Sequence, residues 1–265
     1  MELNFKIESL VEKLNSKKHR EVIEEANELI KKYPNIFVFY NIIGLAYQGI
    51  SNLEEAKIFF LKAIEKNPNE IGPKNNLANI YVSLGKLDEA EKLFVEILNK
   101  VKKSPVIYIN YAHLKKKIND YKSALQLVER AINIDENNLE YYEELANIYQ
   151  SLGNFKKSKE VCIKILEKDQ KYIPAYIILS RQIDYKENNK ILDKMVELHK
   201  YEKFSLNNKI KICFAIGKAY EDQKNYEKSF KFIEEANNLQ DKKVNYKLEN
   251  DKKLFESIKN VFSKI

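Results

Sequence analysis

The stretch Tyr40–Pro68, YNIIGLAYQGISNLEEAKIFFLKAIEKNP, decides the fold because it places a glycine, Gly44, inside an otherwise helical pattern. Good helix formers and apolar residues at helical spacing surround Gly44, yet glycine inside a helix costs about 1 kcal/mol relative to alanine. Steps of 34 residues from Gly44 reach Ala78, Ala112 and Ala146, which are also small. We therefore predict that a second helix crosses here so closely that a larger side chain would separate the two backbones.

A period of 34 residues in helical phase indicates stacked helix pairs. The sequence predicts an all-α, right-handed superhelical solenoid of about seven helix-turn-helix units, with repeats starting near 3, 37, 71, 105, 139, 173 and 210. A last amphipathic helix at about 247–264 is expected to cap the stack. Without a Gly/Ser-rich linker, residues 1–265 are predicted to form a single solenoid. The predicted packing residues are Gly44, Ala56, Ala63, Ala78, Ala90, Ala112, Ala124, Ala131, Ala146, Gly217 and Ala236.

The turn between the two helices of each repeat carries a second periodic feature. Glycine, asparagine and serine tolerate the left-handed backbone conformation that commonly ends a helix. We expect that conformation at four residues spaced 34 apart, which are Ser51, Gly85, Asn119 and Gly153.

These residues carry a resemblance to a known family. The pattern Tyr40, Ile43-Gly44, Tyr47, Ala56, Phe60, Ala63 and Pro68 resembles the tetratricopeptide repeat (TPR), and the resemblance extends over residues 3–240. It implies a protein- or peptide-binding scaffold in which the first helix of each repeat lines a concave groove. The predicted groove residues are Asn41, Asn75, Asn76, Asn79, Asn110, His113, Asn147, Gln150 and Arg181, and the same template positions include Glu143, Ile177, Phe214 and Lys218.

Asparagines dominate the predicted groove. A carboxamide offers donors and acceptors that match a peptide unit, so a row of them can hold an extended chain without reading its sequence. Asn76 and Asn110 lie one period apart, and we expect both side chains to face solvent in the free protein. The alternative is that asparagine is simply common in this chain. A carboxylate clamp is disfavoured, since Val106 and Asn110 occupy positions where it needs basic residues.

Arg181 is a separate candidate for binding. The chain has only three arginines, Arg20, Arg130 and Arg181, and only Arg181 maps to the groove. Its planar guanidinium is suited to bidentate binding of a carboxylate, sulfate or phosphate group. The alternative is a structural ion pair with Asp184 or Glu221.

A second, narrower resemblance concerns the C-terminal third. The segments AYIILSRQIDY (175–185) and KIKICFAIGKAYEDQKNYEKSFKFIEEANNLQ (209–240), followed by Tyr246 and a helix ending near Phe262, resemble the region before the catalytic domain of bacterial TPR-containing sulfotransferases. The resemblance implies an alternative function. The chain would be the substrate-recruiting N-terminal region of a TPR-sulfotransferase whose catalytic domain is absent from this chain.

The sequence predicts no enzyme, cofactor or metal site in this chain. It contains no Gly-rich phosphate loop, GxSxG or HExxH motif. The three histidines, His19, His113 and His199, are distant in sequence from one another and from the two cysteines. Cys162 and Cys213 fall at apolar template positions, which predicts buried thiols in a reducing, cytoplasmic protein.

The formal net charge of +7 invites a nucleic-acid interpretation, which we do not favour. Lysine is interleaved with acidic residues, and no recognition motif is present. No segment is long and apolar enough to predict a membrane span. The densest basic cluster is either a solvated face or an attractor for an anionic partner, and it contains Lys100, Lys102, Lys103, Lys115, Lys116 and Lys117.

Overall fold

In the computed structural model, residues 2–186, 189–200 and 204–244 are described, together with 252, 255–257 and 259. The described residues form fourteen α-helices with defined bounds and contain no strand. The predicted all-α class of paired helices is confirmed. The predicted capping helix at about 247–264 lies for the most part outside the described residues.

The chain divides into two compact units, Met1–Tyr141 and Tyr142–Ile265, and the division falls within helix α9 (Leu139–Ser151). A single continuous solenoid over 1–265 therefore stays a prediction. The helices before α9 are α1 (Glu2–Asn15), α2 (His19–Lys32), α3 (Phe37–Gly49), α4 (Leu53–Lys66), α5 (Ile71–Ser83), α6 (Leu87–Lys100), α7 (Pro105–Lys117) and α8 (Tyr121–Ile134). They are followed by α9 (Leu139–Ser151), α10 (Phe155–Lys168), α11 (Ile173–Ser180), α12 (Asn189–His199), α13 (Leu206–Asp222) and α14 (Tyr226–Val244).

Three of the second helices, α4, α8 and α10, begin at a short polar side chain that caps them. The side chains of Asn52, Asp120 and Asn154 each accept a hydrogen bond from the backbone N–H three residues later, at 3.3, 3.1 and 3.1 Å. Such a bond satisfies one of the N–H groups that have no partner within the helix. These caps recur at the repeat spacing, so the sequence fixes the start of these second helices locally.

The turns between paired helices adopt the predicted left-handed conformation. The φ angle is +62° at Ser51, +77° at Gly85, +61° at Asn119 and +72° at Gly153, so this prediction is confirmed. Lys17 and Lys224 adopt it as well, with φ values of +60° and +59°. Sequence reasoning missed them because lysine has no local preference for this conformation.

Gly44 packs against an aromatic ring. A β-carbon on Gly44 would lie 2.6 Å from the Cε1 atom of Phe60, which is fully buried on α4. The close neighbour of Gly44 is therefore a side chain of the second helix. Ala78 and Phe94 hold the equivalent positions in the next pair and lie in one core cluster, so a methyl group fits there.

The other predicted packing residues are buried in the same way. Gly217 is buried, and a β-carbon there would lie 2.7 Å from Cγ1 of Ile233. A further group of small residues has no exposed surface, and its members are Ala56, Ala63, Ala78, Ala90, Ala112, Ala124, Ala131, Ala146 and Ala236.

Repeat six departs from the template in its first helix. Helix α11 has 8 residues, whereas α3, α5, α7 and α9 have 13 each. It ends at Ser180, so Arg181 caps the helix and does not continue it. Gln182 donates a hydrogen bond to Ser158 Oγ at 2.8 Å, and the next tyrosine, Tyr185, is fully buried. The chain after α11 is therefore anchored in the core of its unit.

Repeat seven begins earlier than its template position. Helix α13 starts at Leu206, four residues before the predicted start at Ile210. Ser205 Oγ caps it by accepting a hydrogen bond from Asn208 N at 3.3 Å. This capping serine is the physical reason for the longer helix.

Both cysteines are free and fully buried, which confirms the prediction of buried thiols. Among the described helices, none combines the length and the hydropathy that crossing a bilayer requires.

Candidate functional site

Four of the predicted groove asparagines form two hydrogen-bonded pairs. Asn76 Nδ2 donates to Asn41 Oδ1 at 2.9 Å, and Asn110 Nδ2 donates to Asn75 Oδ1 at 2.9 Å. All four side chains are half-buried. Each bond joins the fifth residue of one repeat to the sixth residue of the next. Asn76 and Asn110 were expected to face solvent, whereas both are half-buried and each bonds to an asparagine of the preceding repeat.

The pairs leave hydrogen-bonding capacity unused. Each bond takes one donor of Asn76 or Asn110 and one lone pair of Asn41 or Asn75. A carboxamide has two N–H donors and two acceptor lone pairs. Every amide thus retains at least one donor and one acceptor. The pairing also fixes the side-chain orientation before any ligand arrives, which lowers the entropic cost of binding.

The remaining predicted groove residues are distributed over both units. Asn79 is half-buried on α5 and His113 is exposed on α7, in the first unit. Asn147 and Gln150 are half-buried on α9, and Arg181 is exposed after α11, in the second unit. These residues belong to two different compact units, so one groove that runs through all of them stays a prediction.

In the second unit, the first helices α9, α11 and α13 line two neighbouring cavities. The cavities have volumes of about 220 and 210 Å³ and share Ile177, Arg181 and Lys211 as lining residues. Other residues that line the first cavity include Glu143 and Asn147. Phe214 and Lys218 contribute to the second. All of these residues except Lys211 were assigned to the groove from the repeat template.

The cations in these cavities differ in their surroundings. Lys218 forms an ion pair with Asp222 at 2.6 Å. The side chains of Arg181 and Lys211 form no ion pair or hydrogen bond with any residue in the described part of the chain. The alternative in which Arg181 bridges to Asp184 or Glu221 is not observed, and Asp184 instead lies 4.0 Å from Lys186 Nζ.

The lining chemistry suits a group that is both anionic and apolar. Ile177 is half-buried, and Phe214 remains 41% exposed, which is high for a phenylalanine in a helix that packs in a core. Arg181 can donate two parallel N–H bonds to a carboxylate, and Lys211 adds a second positive charge at the same cavities. Glu143, which accepts a hydrogen bond from Tyr172 at 2.7 Å, also lines the first cavity. An acidic group with an adjacent apolar side chain therefore matches the second cavity best.

The basic cluster does not form the free surface that its sequence suggested. Lys115 Nζ lies 2.6 Å from Glu91 Oε1, which also accepts a hydrogen bond from Tyr111. These two hydrogen bonds lower the pKa of Glu91. Lys100 lies 3.7 Å from Glu96, and Lys117 donates to a backbone carbonyl. Several of the cluster's positive charges are thus engaged within the chain, while Lys102 and Lys103 are exposed.

One cluster was missed by sequence reasoning. His199 ends α12, Cys213 lies on α13 and Glu235 lies on α14, and one ligand atom from each lies within 4.8 Å of the other two. His199 Nε2 is 2.9 Å from Glu235 Oε1. The available signal was that His199 occupies the template position of the packing residues Ala63 and Ala131. A histidine at that position faces the neighbouring helices.

Comparison with known families supports the repeat assignment. Three sequence profiles described as tetratricopeptide repeat match the chain, at residues 119–183, at 59–92, and at 38–70 and 210–243. The comparison with curated protein sequences finds no match.

Solved structures share the fold at low identity. A tetratricopeptide repeat protein from Parabacteroides merdae covers 96% of this chain and 97% of its own, with a TM-score of 0.66 and 15% identity. The APC/C hetero-tetramer Cut9–Hcn1 matches 87% of this chain with a TM-score of 0.65 and 13% identity, and yeast Tom70 matches 76% with 0.62 and 20%. This chain spans 45% and 43% of the lengths of those two chains. The profile matches, the paired helices and the 34-residue period together show that the chain is built from tetratricopeptide repeats.

Proposed function

We propose that the chain is a scaffold that binds a peptide segment of another protein across the first helices of its repeats. The fold supports this proposal, since the Cut9–Hcn1 structure with a similar fold is a hetero-tetramer. The predicted cytoplasmic location stays a prediction.

The main support for the proposal is that the side chains of Arg181 and Lys211 have no acidic partner among the described residues. Both are exposed cations that line the same two cavities, and neither is paired with a carboxylate in the described part of the chain. Lys218, which lines the second cavity, is instead paired with Asp222. Arg181 and Lys211, which have no acidic partner among the described residues, line the same cavity as the exposed ring of Phe214. This arrangement favours a ligand that brings its own negative charge and an apolar side chain.

The ligand we propose is an extended peptide with a carboxylate next to an apolar residue. Hydrogen bonds to a charged group contribute about 1.5–3 kcal/mol each, so the carboxylate would anchor the peptide at Arg181. The amide pairs of the first unit support binding of a peptide backbone in a similar way. Their unused donors and acceptors match the peptide unit without selecting side chains.

The sulfotransferase alternative gains no support from the comparisons. The matching profiles all describe tetratricopeptide repeats, and the similar structures named above are a tetratricopeptide repeat protein, Cut9–Hcn1 and Tom70. No feature of the described residues favours a role beside a sulfuryl-transfer domain over a role as a general scaffold.

The proposal is tested by selecting ligands from a random peptide library displayed on phage. We expect enrichment of peptides in which an acidic residue neighbours an apolar one. A synthetic peptide from the enriched set is then titrated by fluorescence polarisation. The double variant Arg181→Gln/Lys211→Gln should bind it at least about tenfold more weakly, since one charged hydrogen bond is lost with Arg181.

The matched control is Lys156→Gln/Lys159→Gln, which removes the same charge from exposed positions of the second helix α10. It should leave the affinity unchanged within a factor of about two. Equal weakening by both double variants would show that only net charge matters. Enrichment of peptides without acidic residues would likewise refute the proposed site.

A further inference from the structure

Three helices of the second unit bring together a thiol, an imidazole and a carboxylate. His199 is the last residue of α12, Cys213 lies in the middle of α13, and Glu235 lies on α14. One ligand atom from each side chain lies within 4.8 Å of the other two. The residues come from both repeats six and seven, so the cluster exists only when the two repeats pack against each other.

The hydrogen bond between His199 and Glu235 already has nearly the geometry of two metal ligands. Nε2 and Oε1 are 2.9 Å apart. Around a tetrahedral zinc ion with bonds of about 2.0 Å to nitrogen and oxygen, these atoms would be about 3.3 Å apart. An ion that replaces the shared proton would thus need the pair to separate by only about 0.4 Å.

The thiol of Cys213 completes the set. A zinc–sulfur bond of about 2.3 Å would place the sulfur about 3.5 Å from the other two ligand atoms. Since the ligand atoms lie within 4.8 Å of one another, the sulfur must move by at most about 1.3 Å, which is within reach of side-chain rotation on separate helices. Cys213 is fully buried, whereas the side chains of His199 and Glu235 are 22% and 41% exposed. The cluster thus has a closed side at the thiol and an open side through which an ion can enter.

We propose that His199, Cys213 and Glu235 form a binding site for Zn²⁺. Sulfur, nitrogen and carboxylate oxygen together suit this borderline ion, whereas Mg²⁺ and Ca²⁺ prefer oxygen ligands alone. On binding, the Cys213 thiol releases its proton to solvent, and His199 binds through Nε2 with its remaining proton on Nδ1. Three protein ligands leave a fourth position for water on the exposed side.

The aromatic surroundings favour a fixed imidazole. The ring of Phe232 packs edge-on against His199, with the ring centroids 5.2 Å apart. Such packing limits rotation of the histidine, and metal sites depend on ligands that are held in place. The other buried cysteine, Cys162, lies in no comparable group of potential ligands among the described residues, so it provides an internal comparison.

The experiment uses the full chain, purified under reducing conditions and freed of metal with a chelator. Equilibrium dialysis against Zn²⁺ should give one bound ion per chain. Titration with Co²⁺ should produce the near-ultraviolet charge-transfer band of a thiolate–cobalt bond and the visible bands of a tetrahedral ion. Cys213→Ser should abolish the charge-transfer band. His199→Gln and Glu235→Gln should weaken Zn²⁺ binding more than the roughly 100-fold loss that removal of an outer-shell partner causes.

Matched controls separate this site from other donors. Cys162→Ser and His113→Gln change the same residue types elsewhere and should keep the full cobalt spectrum. The unmodified chain tests the proposal without any variant, so a folding defect in Cys213→Ser leaves the result interpretable. Absence of a thiolate band in the unmodified chain would overturn the proposal, as would a band that is retained in Cys213→Ser and lost in Cys162→Ser.

Discussion

Phe60 lies so close to Gly44 that a β-carbon on the glycine would be 2.6 Å from the phenylalanine ring. The Phe60 side chain has no exposed surface, so it cannot move outward without leaving a void in the core. The ring of Phe60 on α4 is thus the reason why residue 44 must be small.

We predict that Gly44→Leu lowers the free energy of unfolding by about 1–3 kcal/mol, because the added side chain overpacks the contact with Phe60. Urea unfolding followed by circular dichroism measures this change. The control is Gly72→Leu in the first turn of α5, where no atom lies within 4 Å of an added β-carbon. Its stability should be unchanged or slightly higher. Equal stability of the two variants would contradict the packing explanation.

The amide pairs predict an energetic coupling between neighbouring repeats. In a double-mutant cycle, Asn41→Ala and Asn76→Ala should show a coupling of about 0.5–1.5 kcal/mol, the net contribution of one hydrogen bond. Asn79→Ala changes the same residue type on the same helix as Asn76, at a side chain without an observed bond, and should show no coupling with Asn41→Ala. A coupling near zero for both cycles would mean that the hydrogen bond contributes nothing in solution.

Cys162 should be nearly inert to alkylation in the folded protein. Burial raises the pKa of its thiol to about 12, with a smaller contribution from the negative charge of Glu143. A thiol with the ordinary pKa of 9.0 would have about a thousand times more thiolate at pH 8 than one with a pKa of about 12. In a Cys213→Ser background, iodoacetamide should react slowly with the native chain and quickly in denaturant, as followed by mass spectrometry. Similar rates in the two conditions would show that the thiol is accessible.

Glu91 should make the stability depend on pH in the acidic range. Hydrogen bonds from Lys115 and Tyr111 lower its pKa below the ordinary value of 4.5. A depressed carboxyl pKa stabilises the folded state above that value, and the contribution is lost as the pH falls through the folded-state pKa. In Glu91→Gln, the loss of melting temperature between pH 7 and pH 4 should be smaller than in the unmodified chain. Glu89→Gln, at an exposed position of the same helix, should behave like the unmodified chain.

The sequence alone was sufficient for the helical fold because its determinants repeat. Small residues such as Gly44 and Ala78 recur every 34 positions, and each copy confirms the register of the others. The turn conformations could also be predicted, since Ser51 and Asn119 have the left-handed backbone conformation that their residue types tolerate.

Contacts between residues of different repeats could not be predicted from the sequence in the same way. The bonded asparagines are 35 residues apart, one more than the period, so a search at equal template positions does not pair them. His199, Cys213 and Glu235 come from three helices, and only tertiary packing brings them together. The early end of α11 at Ser180 had no proline or glycine to mark it.

The amide bonds from Asn76 to Asn41 and from Asn110 to Asn75 have a consequence for how the first unit unfolds. In a linear array of repeats, stability is approximately the sum of the intrinsic terms of single repeats and the nearest-neighbour terms between them. A bond that crosses from one repeat to the next adds only to the second kind. It therefore raises the free-energy cost of a boundary between folded and unfolded repeats, so that repeats two to four melt together and fraying from an end is suppressed.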